Sequence, residues 1–91
     1  MTDLVRKRLV VSGRVQGVWF RESCREQAVA YGVAGSVRNL ADGRVEVVVE
    51  GTPDAVDRMV AWCREGPRRA EVRDVETTDE PTVGDVGFRV H

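Results

Sequence analysis

Several features that would give this chain an obvious role are missing from it. The sequence contains no run of 18 apolar residues and no basic segment followed by an apolar stretch of signal length. We therefore expect no membrane-spanning helix, no secretory leader and a cytoplasmic location. The formal net charge is only −1, which argues against general binding to nucleic acids or to membrane surfaces.

Residues that commonly bind metals or act as bases are also scarce. Cys24 and Cys63 are far apart and lack metal-ligand spacing, so we expect reduced, buried thiols, with a disulfide between facing helices as the open alternative. His91 is the only histidine, and we expect it at a frayed chain end, which excludes histidine-based phosphatase chemistry. We expect neither a metal site nor a cofactor, since an acidic cluster predicted in a solvated loop also lacks metal spacing: Asp79, Glu80 and Asp85.

The elements that are present follow from apolar periodicity and turn residues. Phe20, Cys24, Ala28 and Tyr31 share one helical stripe, and Gly32 stands where a helix-ending glycine belongs, which predicts a helix over Phe20–Tyr31. A second helix is predicted after Thr52 and Pro53, ending at Gly66-Pro67, from the spacing of Val56, Met59, Val60 and Cys63. Strands are predicted over residues 4–12, 33–38, 45–50, 70–77 and 88–90, with a hairpin loop over 39–43 and a further loop over 79–84.

This order of elements predicts a single α+β domain over residues 1–91. The pattern βαββαβ with a short fifth strand indicates a ferredoxin-like α/β sandwich, with two helices on one face of a mostly antiparallel sheet. Right-handed crossovers are expected to bring the first and third strands together, parallel, in the sheet centre.

The segment V-S-G-R-V-Q-G-V-W-F-R, from Val11 to Arg21, predicts a binding site for a phosphoryl group. A strand leads through a glycine-bearing turn directly into a helix, whose first N–H groups lack internal partners and carry the positive end of the dipole. Arg21 falls in the first helical turn, where its guanidinium can bind the same anion in two places. No Gly-Lys-Ser/Thr follows the glycines, so this is not a Walker loop, and no metal is implied. The predicted phosphate-binding residues are Val15, Gln16, Gly17, Val18, Trp19, Phe20 and Arg21.

Asn39, at the start of the predicted hairpin loop, is expected to lie near Arg21. Neither side chain takes up a proton near neutral pH, but the amide of Asn39 is able to position a water molecule. A site with an electrostatic clamp, a positioned water and no titrating base suits substrates with a good leaving group. Acyl phosphates fit because a departing carboxylate needs no proton, whereas the alkoxide of a phosphate monoester does.

Two stretches resemble the signatures of the acylphosphatase family. The first is Val11-x-Gly13-x-Val15-Gln16-Gly17-Val18-x-Phe20-Arg21, and the second is Gly35-x-Val37-Arg38-Asn39-x-x-Asp42-Gly43-x-Val45-Glu46, with Gly51 further on. The resemblance implies that Arg21 binds the phosphoryl group and that Asn39 orients the attacking water. It also implies a small acyl phosphate as substrate, with inorganic phosphate as product and inhibitor. The sequence does not reveal the oligomeric state, and we expect a monomer. One departure is Ser36, where the family usually has an aromatic residue.

Some assignments stay open at this stage. Trp19 and Trp62 are expected to be packing residues rather than ligand contacts, and Gln16 is expected to contribute its main chain. A module that binds phosphate or carbamoyl phosphate without turnover is one rival function, which Asn39 disfavours. An RNA-binding sheet is a weaker rival because the central strands carry apolar residues where exposed aromatics would be needed: Leu9, Val10, Val47 and Val48.

Overall fold

The computed structural model describes residues 3–91, and its elements follow the predicted order. The helices are α1 (Phe20–Tyr31) and α2 (Pro53–Glu65), and the strands are β1 (Val5–Arg14), β2 (Ala34–Asn39), β3 (Val45–Gly51), β4 (Glu71–Glu80) and β5 (Phe88–Val90). Gly32 ends α1 in the left-handed conformation, as predicted, and the hydroxyl of Thr52 accepts from the N–H of Ala55 at 3.3 Å at the start of α2.

The fourth strand is longer than its apolar pattern indicates. Asp79 and Glu80 belong to β4 and pair with Lys7 and Arg6 of β1, so the prediction that they lie in a loop is wrong. Apolar residues stop alternating before Thr77, but β4 continues to Glu80. Main-chain pairing with β1 and ion pairs across the two strands stabilise this last part.

The sheet has the order β4-β1-β3-β2-β5, and the two central strands are antiparallel. The expectation of parallel first and third strands is therefore wrong. Each βαβ unit makes its own two strands parallel, but a strand of the other unit lies between them, and the β2–β3 hairpin reverses the chain direction. Only β5 runs parallel to its neighbour, β2, so the sheet is mostly antiparallel, as predicted.

Both helices pack on one face of this sheet and bury a small apolar core. The helices contribute the predicted stripes, and the strands contribute the alternate positions that point toward them: Leu9, Val11, Val37, Val45, Val47 and Val49. Cys24 and Cys63 are buried, as predicted, and are free thiols. A hydrogen bond to Cys63, together with burial, raises the pKa of the Cys24 thiol well above its usual range.

The other face of the sheet carries ion pairs. Glu46 lies between Arg8 and Arg38, whose Nε atoms donate to it at 2.7 and 2.9 Å. Burial raises the pKa of Glu46, but these hydrogen bonds outweigh that effect and leave the pKa below its usual value. Ser36 lies across from Val48 on this face, so the missing aromatic residue removes nothing from the helix-covered core.

Glu50 fixes the connection between β4 and β5. Its carboxylate accepts from the N–H groups of Val83, Gly84 and Asp85 at 3.0, 2.9 and 3.1 Å. The Nη1 of Arg6 donates to the same carboxylate at 3.2 Å. These bonds lower the pKa of Glu50, the bond from Val83 contributing most.

Asp85 is part of the same connection and does not lie in a solvated cluster. Only 12% of its side chain is exposed, and it pairs with Arg89 at 3.0 Å and with Arg6 at 3.4 Å. The bond from Arg89 is the main cause that lowers its pKa to about 2. The prediction of a solvated acidic loop is therefore wrong for Asp85, because two arginines lie within reach of it.

Candidate active site

Arg21 and Asn39 line the same cavity, at the end of the sheet where β1 leads into α1. The cavity has a volume of about 400 Å³. Its walls are formed by residues of the segment before α1, the first turn of α1, the end of β2 and β5: Val15, Gly17, Trp19, Phe20, Arg21, Glu22, Asn39 and Val90.

The segment from Val15 to Phe20, here called the 15–20 loop, is anchored in the core by apolar side chains. Val15, Val18 and Phe20 are buried in the core. Gly17 and Trp19 both have positive φ, 72° and 65°, which curls the main chain around the cavity. Among residues 3–91, no acceptor bonds to the N–H groups of residues 16–20. These amides lie at the start of a 12-residue helix, a position that favours an anion.

Arg21 lies in the first turn of α1, and one nitrogen of its guanidinium makes a hydrogen bond. Its Nη1 donates to the main-chain oxygen of His91 at 2.7 Å. The N–H of His91 in turn donates to the oxygen of Val37 at 2.9 Å. The expectation that His91 is frayed is therefore wrong, because its main chain is bonded on both sides. Within residues 3–91, no other acceptor bonds to the guanidinium of Arg21, so its remaining N–H groups are available to an anion.

Asn39 is the last residue of β2 and has an exposed side chain. The loop that follows it, residues 40–44, is closed by two main-chain bonds, from Leu40 N–H to Arg44 oxygen at 2.7 Å and from Gly43 N–H to Leu40 oxygen at 3.2 Å. Asp42 accepts from the N–H and the Nε of Arg44, and the main-chain bond is the main cause that lowers the pKa of Asp42. The position of Asn39 is thus set by a strand on one side and a closed turn on the other.

The side chain of Gln16 joins the two loops. Its Nε2 donates to the oxygen of Leu40 at 2.8 Å and to the oxygen of Arg44 at 2.9 Å. The expectation that Gln16 contributes its main chain omits this contact. The partners are 24 and 28 residues away, so no local pattern in the sequence predicts the bond.

The two tryptophans differ in their surroundings. Trp62 packs on Phe20 with ring centroids 5.3 Å apart, as expected for a packing residue. Trp19 is 72% exposed, so the same expectation is wrong for it. Trp19 is also the one non-glycine residue with positive φ among residues 3–91, a conformation that costs about 1–2 kcal/mol for such a residue.

Glu22 is a carboxylate at the cavity that the sequence does not single out. It lies in the first turn of α1, half-exposed, 3.7 Å from the guanidinium of Arg25. Its position beside the helix start is favourable for a negative charge. Residues 3–91 contain no group of three or more His, Cys, Asp or Glu side chains arranged to hold a metal, and no helix there is long and apolar enough to cross a membrane.

Comparisons with known proteins show the family of this chain. The family model described as Acylphosphatase matches residues 7–90. The chain is similar to an acylphosphatase of Rubrobacter xylanophilus, with 58% identity over 93% of this chain and 78% of that protein. It is similar to one of Aeropyrum pernix, with 52% identity over 97% of this chain and 89% of that protein. The structure of an acylphosphatase from Coxiella burnetii superposes with a TM-score of 0.93 at 37% identity, covering 98% of this chain and 94% of that one. The chain therefore belongs to the acylphosphatase family.

Proposed function

We propose that this acylphosphatase hydrolyses the carboxyl–phosphate bond of small acyl phosphates without a metal ion, using Arg21, the 15–20 loop and Asn39. The observation that carries the proposal is that these three groups line one cavity. Within residues 3–91, the amides of residues 16–20 and the remaining guanidinium nitrogens of Arg21 have no acceptor, which supports their proposed role as donors to a phosphoryl group.

In the proposed reaction, the amide of Asn39 orients a water molecule toward phosphorus. The water oxygen forms a bond to phosphorus, the bond from phosphorus to the bridging oxygen breaks, and the carboxylate leaves with the electron pair. A phosphoryl oxygen of the substrate accepts the water proton, so the products are a carboxylate and inorganic phosphate. Charge on the equatorial oxygens of the transition state meets N–H donors that are already in position.

The two side chains to which we assign roles, Arg21 and Asn39, supply no proton to the leaving group, and this restricts the substrate class. A carboxylate leaves without protonation, whereas an alkoxide does not, so phosphate monoesters are excluded as good substrates. Because one chain supplies every proposed group, we expect a monomer to be active. The buried free thiols of Cys24 and Cys63 are in keeping with a reducing, cytoplasmic location.

Incubation of the purified protein with acetyl phosphate, with and without a metal chelator, tests the proposal. We expect release of acetate and phosphate that is unchanged by the chelator and competitively inhibited by inorganic phosphate. Hydrolysis of glycerol 2-phosphate, a monoester whose departing alkoxide needs a proton, is expected to be far slower. Loss of activity with the chelator, or equal activity on the monoester, would contradict the proposed mechanism.

A further inference from the structure

Trp19 combines two features that neither the core nor the local fold explains. Its indole is 72% exposed, in contrast to Trp62, which packs on Phe20. Its main chain is left-handed, with φ 65° and ψ 23°, a conformation suited to glycine or asparagine. Strain of this kind persists where the surrounding structure enforces it, commonly at functional sites.

The position of Trp19 relates these features to the cavity. Trp19 lines the same cavity as Arg21 and Asn39, together with three apolar residues, Val15, Phe20 and Val90. The volume of about 400 Å³ equals that of roughly a dozen water molecules in the liquid, which is more than a phosphoryl group fills. The remainder of the cavity is available to the acyl part of a substrate.

We propose that Trp19 forms the acyl subsite and that the preferred substrates are aryl or other bulky apolar acyl phosphates rather than acetyl phosphate. This inference rests on the proposed function. An aromatic ring packed on the indole gains both from removal of apolar surface from water and from ring–ring contact. The methyl group of acetyl phosphate covers little of the indole surface.

Substrate comparison across variants tests the subsite. Trp19→Asn removes the ring but keeps a residue that tolerates positive φ, and Trp19→Phe keeps an aromatic ring. We expect Trp19→Asn to lower kcat/KM for benzoyl phosphate about tenfold more than kcat/KM for acetyl phosphate, with the difference mainly in KM. Trp19→Phe retains most of the preference. Because each variant is compared with the parent on the same substrate, differences in intrinsic reactivity cancel.

The outcomes separate this inference from the function on which it rests. Equal losses on both substrates in Trp19→Asn would overturn the subsite and leave the hydrolase intact. No turnover of either substrate by the parent protein would overturn the proposed function. In a Trp62→Phe protein, Trp19 is the single indole, and its fluorescence should change more with phenacylphosphonate than with inorganic phosphate. Equal changes with both ligands, or none with either, also contradict the subsite.

The contacts of Gln16 independently support a second inference. The oxygens of Leu40 and Arg44 already accept one main-chain bond each within the loop that follows Asn39, and the Gln16 side chain donates a second bond to each. Only a primary amide offers two N–H donors with this spacing on an uncharged group. The bond pair therefore joins the 15–20 loop to the closed form of residues 40–44.

We infer that Gln16 is a positioning residue that fixes Asn39 relative to the phosphoryl-binding amides, an inference that also rests on the proposed function. Leu40 directly follows Asn39, so a shift of this loop moves the amide that orients the water. Displacement of a reacting group by about 1 Å costs on the order of a hundredfold in rate.

A double-mutant cycle distinguishes positioning from general stability. Gln16→Met keeps the length of the side chain and removes both donors. We expect kcat to fall about 10- to 100-fold with the inhibition constant for phosphate within twofold, and no further loss when the change is made in an Asn39→Ala protein. Gln27→Met, on α1 away from both loops, is the matched control with parental activity.

Each alternative outcome has a distinct meaning. Equal losses from Gln16→Met in the parent and in the Asn39→Ala background would show that Gln16 does not act through Asn39. An unchanged kcat in Gln16→Met, with Asn39→Ala inactive, would overturn the positioning role and leave the proposed function standing. Full activity of Asn39→Ala would instead overturn the proposed role of Asn39.

Discussion

The hydrogen bond of Arg21 gives a reason to expect that arginine is required at this position. One guanidinium nitrogen bonds to the main-chain oxygen of His91, which fixes the direction of the side chain, and the others remain available to an anion. A lysine ammonium is one point charge that would be unable to hold His91 and present two aligned donors in the same geometry.

Arg21→Lys is therefore expected to be almost inactive although the charge is kept. Loss of a preformed donor to the transition state typically costs about 10²–10³ in rate, and loss of the bidentate group at least as much. Steady-state hydrolysis of acetyl phosphate measures the rate, and calorimetric titration with inorganic phosphate measures the weakened binding. Retention of most activity would remove Arg21 from the site.

Asn39→Ala is expected to separate turnover from binding. If the amide positions water and does not bind the phosphoryl group, as proposed, kcat should fall by roughly 10²-fold or more while the inhibition constant of phosphate changes less than twofold. Glu22→Gln is the matched control, since it removes the carboxylate nearest the site and should keep activity within twofold. A collapse of phosphate affinity in Asn39→Ala, or of activity in Glu22→Gln, would contradict this division of roles.

At this scale, the sequence predicts some site residues and misses others for a physical reason. Arg21 and the 15–20 loop are predictable because strand, turn and helix follow one another directly. Asn39 is predictable because a hairpin places its loop beside that turn. The hydrogen bonds of the Gln16 side chain depend on partners 24 and 28 residues away. The exposure of Trp19 depends on the lack of packing neighbours around its indole. Neither feature can be recognised from the residues nearby in the sequence.

At the scale of elements, β2 lies unusually close to β3 at Gly35. The φ of Gly35 is 142°, and a Cβ placed there would overlap the main-chain oxygen of Val48. β2 also pairs with β5 at this position, where the N–H of Gly35 donates to the oxygen of Gly87 at 2.9 Å. A glycine thus permits β2 to pair on both edges while it carries Asn39 to the cavity.

Gly35→Ala should destabilise the fold far more than Gly32→Ala. The first change combines an unfavourable φ with a main-chain overlap, so we expect a loss above about 3 kcal/mol. At Gly32, φ is 72° with nothing within 4 Å of a new Cβ, and the expected cost is about 1–2 kcal/mol. Urea unfolding followed by circular dichroism measures both, and similar midpoints for the two variants would contradict the explanation.

The order of helices and strands was predictable from apolar periodicity. The relative direction of β1 and β3 and the length of β4 were not. The antiparallel arrangement of β1 and β3 follows from the insertion of one βαβ unit into the other, which no single strand encodes. The extension of β4 to Glu80 depends on Arg6 and Lys7, so a strand made of polar residues is recognisable only beside its partner.

At the scale of the whole molecule, the depressed carboxylate pKa values make stability depend on acidity. Glu46, Glu50 and Asp85 each have a pKa below the ordinary value, that of Asp85 being about 2. A group whose pKa is lower in the folded protein adds stability above its unfolded pKa and loses it as the pH falls through the folded pKa. These groups therefore stabilise the protein fully near neutral pH and progressively less between about pH 5 and pH 2.

The urea midpoint should accordingly be nearly constant from pH 8 to pH 6 and fall steeply below pH 5. Glu50→Gln should lower the midpoint at pH 7 and reduce the difference between pH 7 and pH 3, because the amide loses the charge that Arg6 and three N–H groups bind. Glu76→Gln, on an exposed stretch of β4, is the control with little effect. If the difference in urea midpoint between pH 7 and pH 3 is the same in Glu50→Gln as in the parent, other groups cause the loss of stability in acid.

The strand order also has a consequence for how the protein becomes active. β1 leads into the 15–20 loop, yet its two neighbours in the sheet are β3 and β4, and Arg6 pairs with Glu80, 74 residues along the chain. Such distant pairings favour refolding in milliseconds to seconds, which stopped-flow fluorescence would measure; microsecond refolding would contradict this expectation. During synthesis, the 15–20 loop is made before the strand that pairs with β1, so hydrolysis should begin only after β4 has emerged from the ribosome.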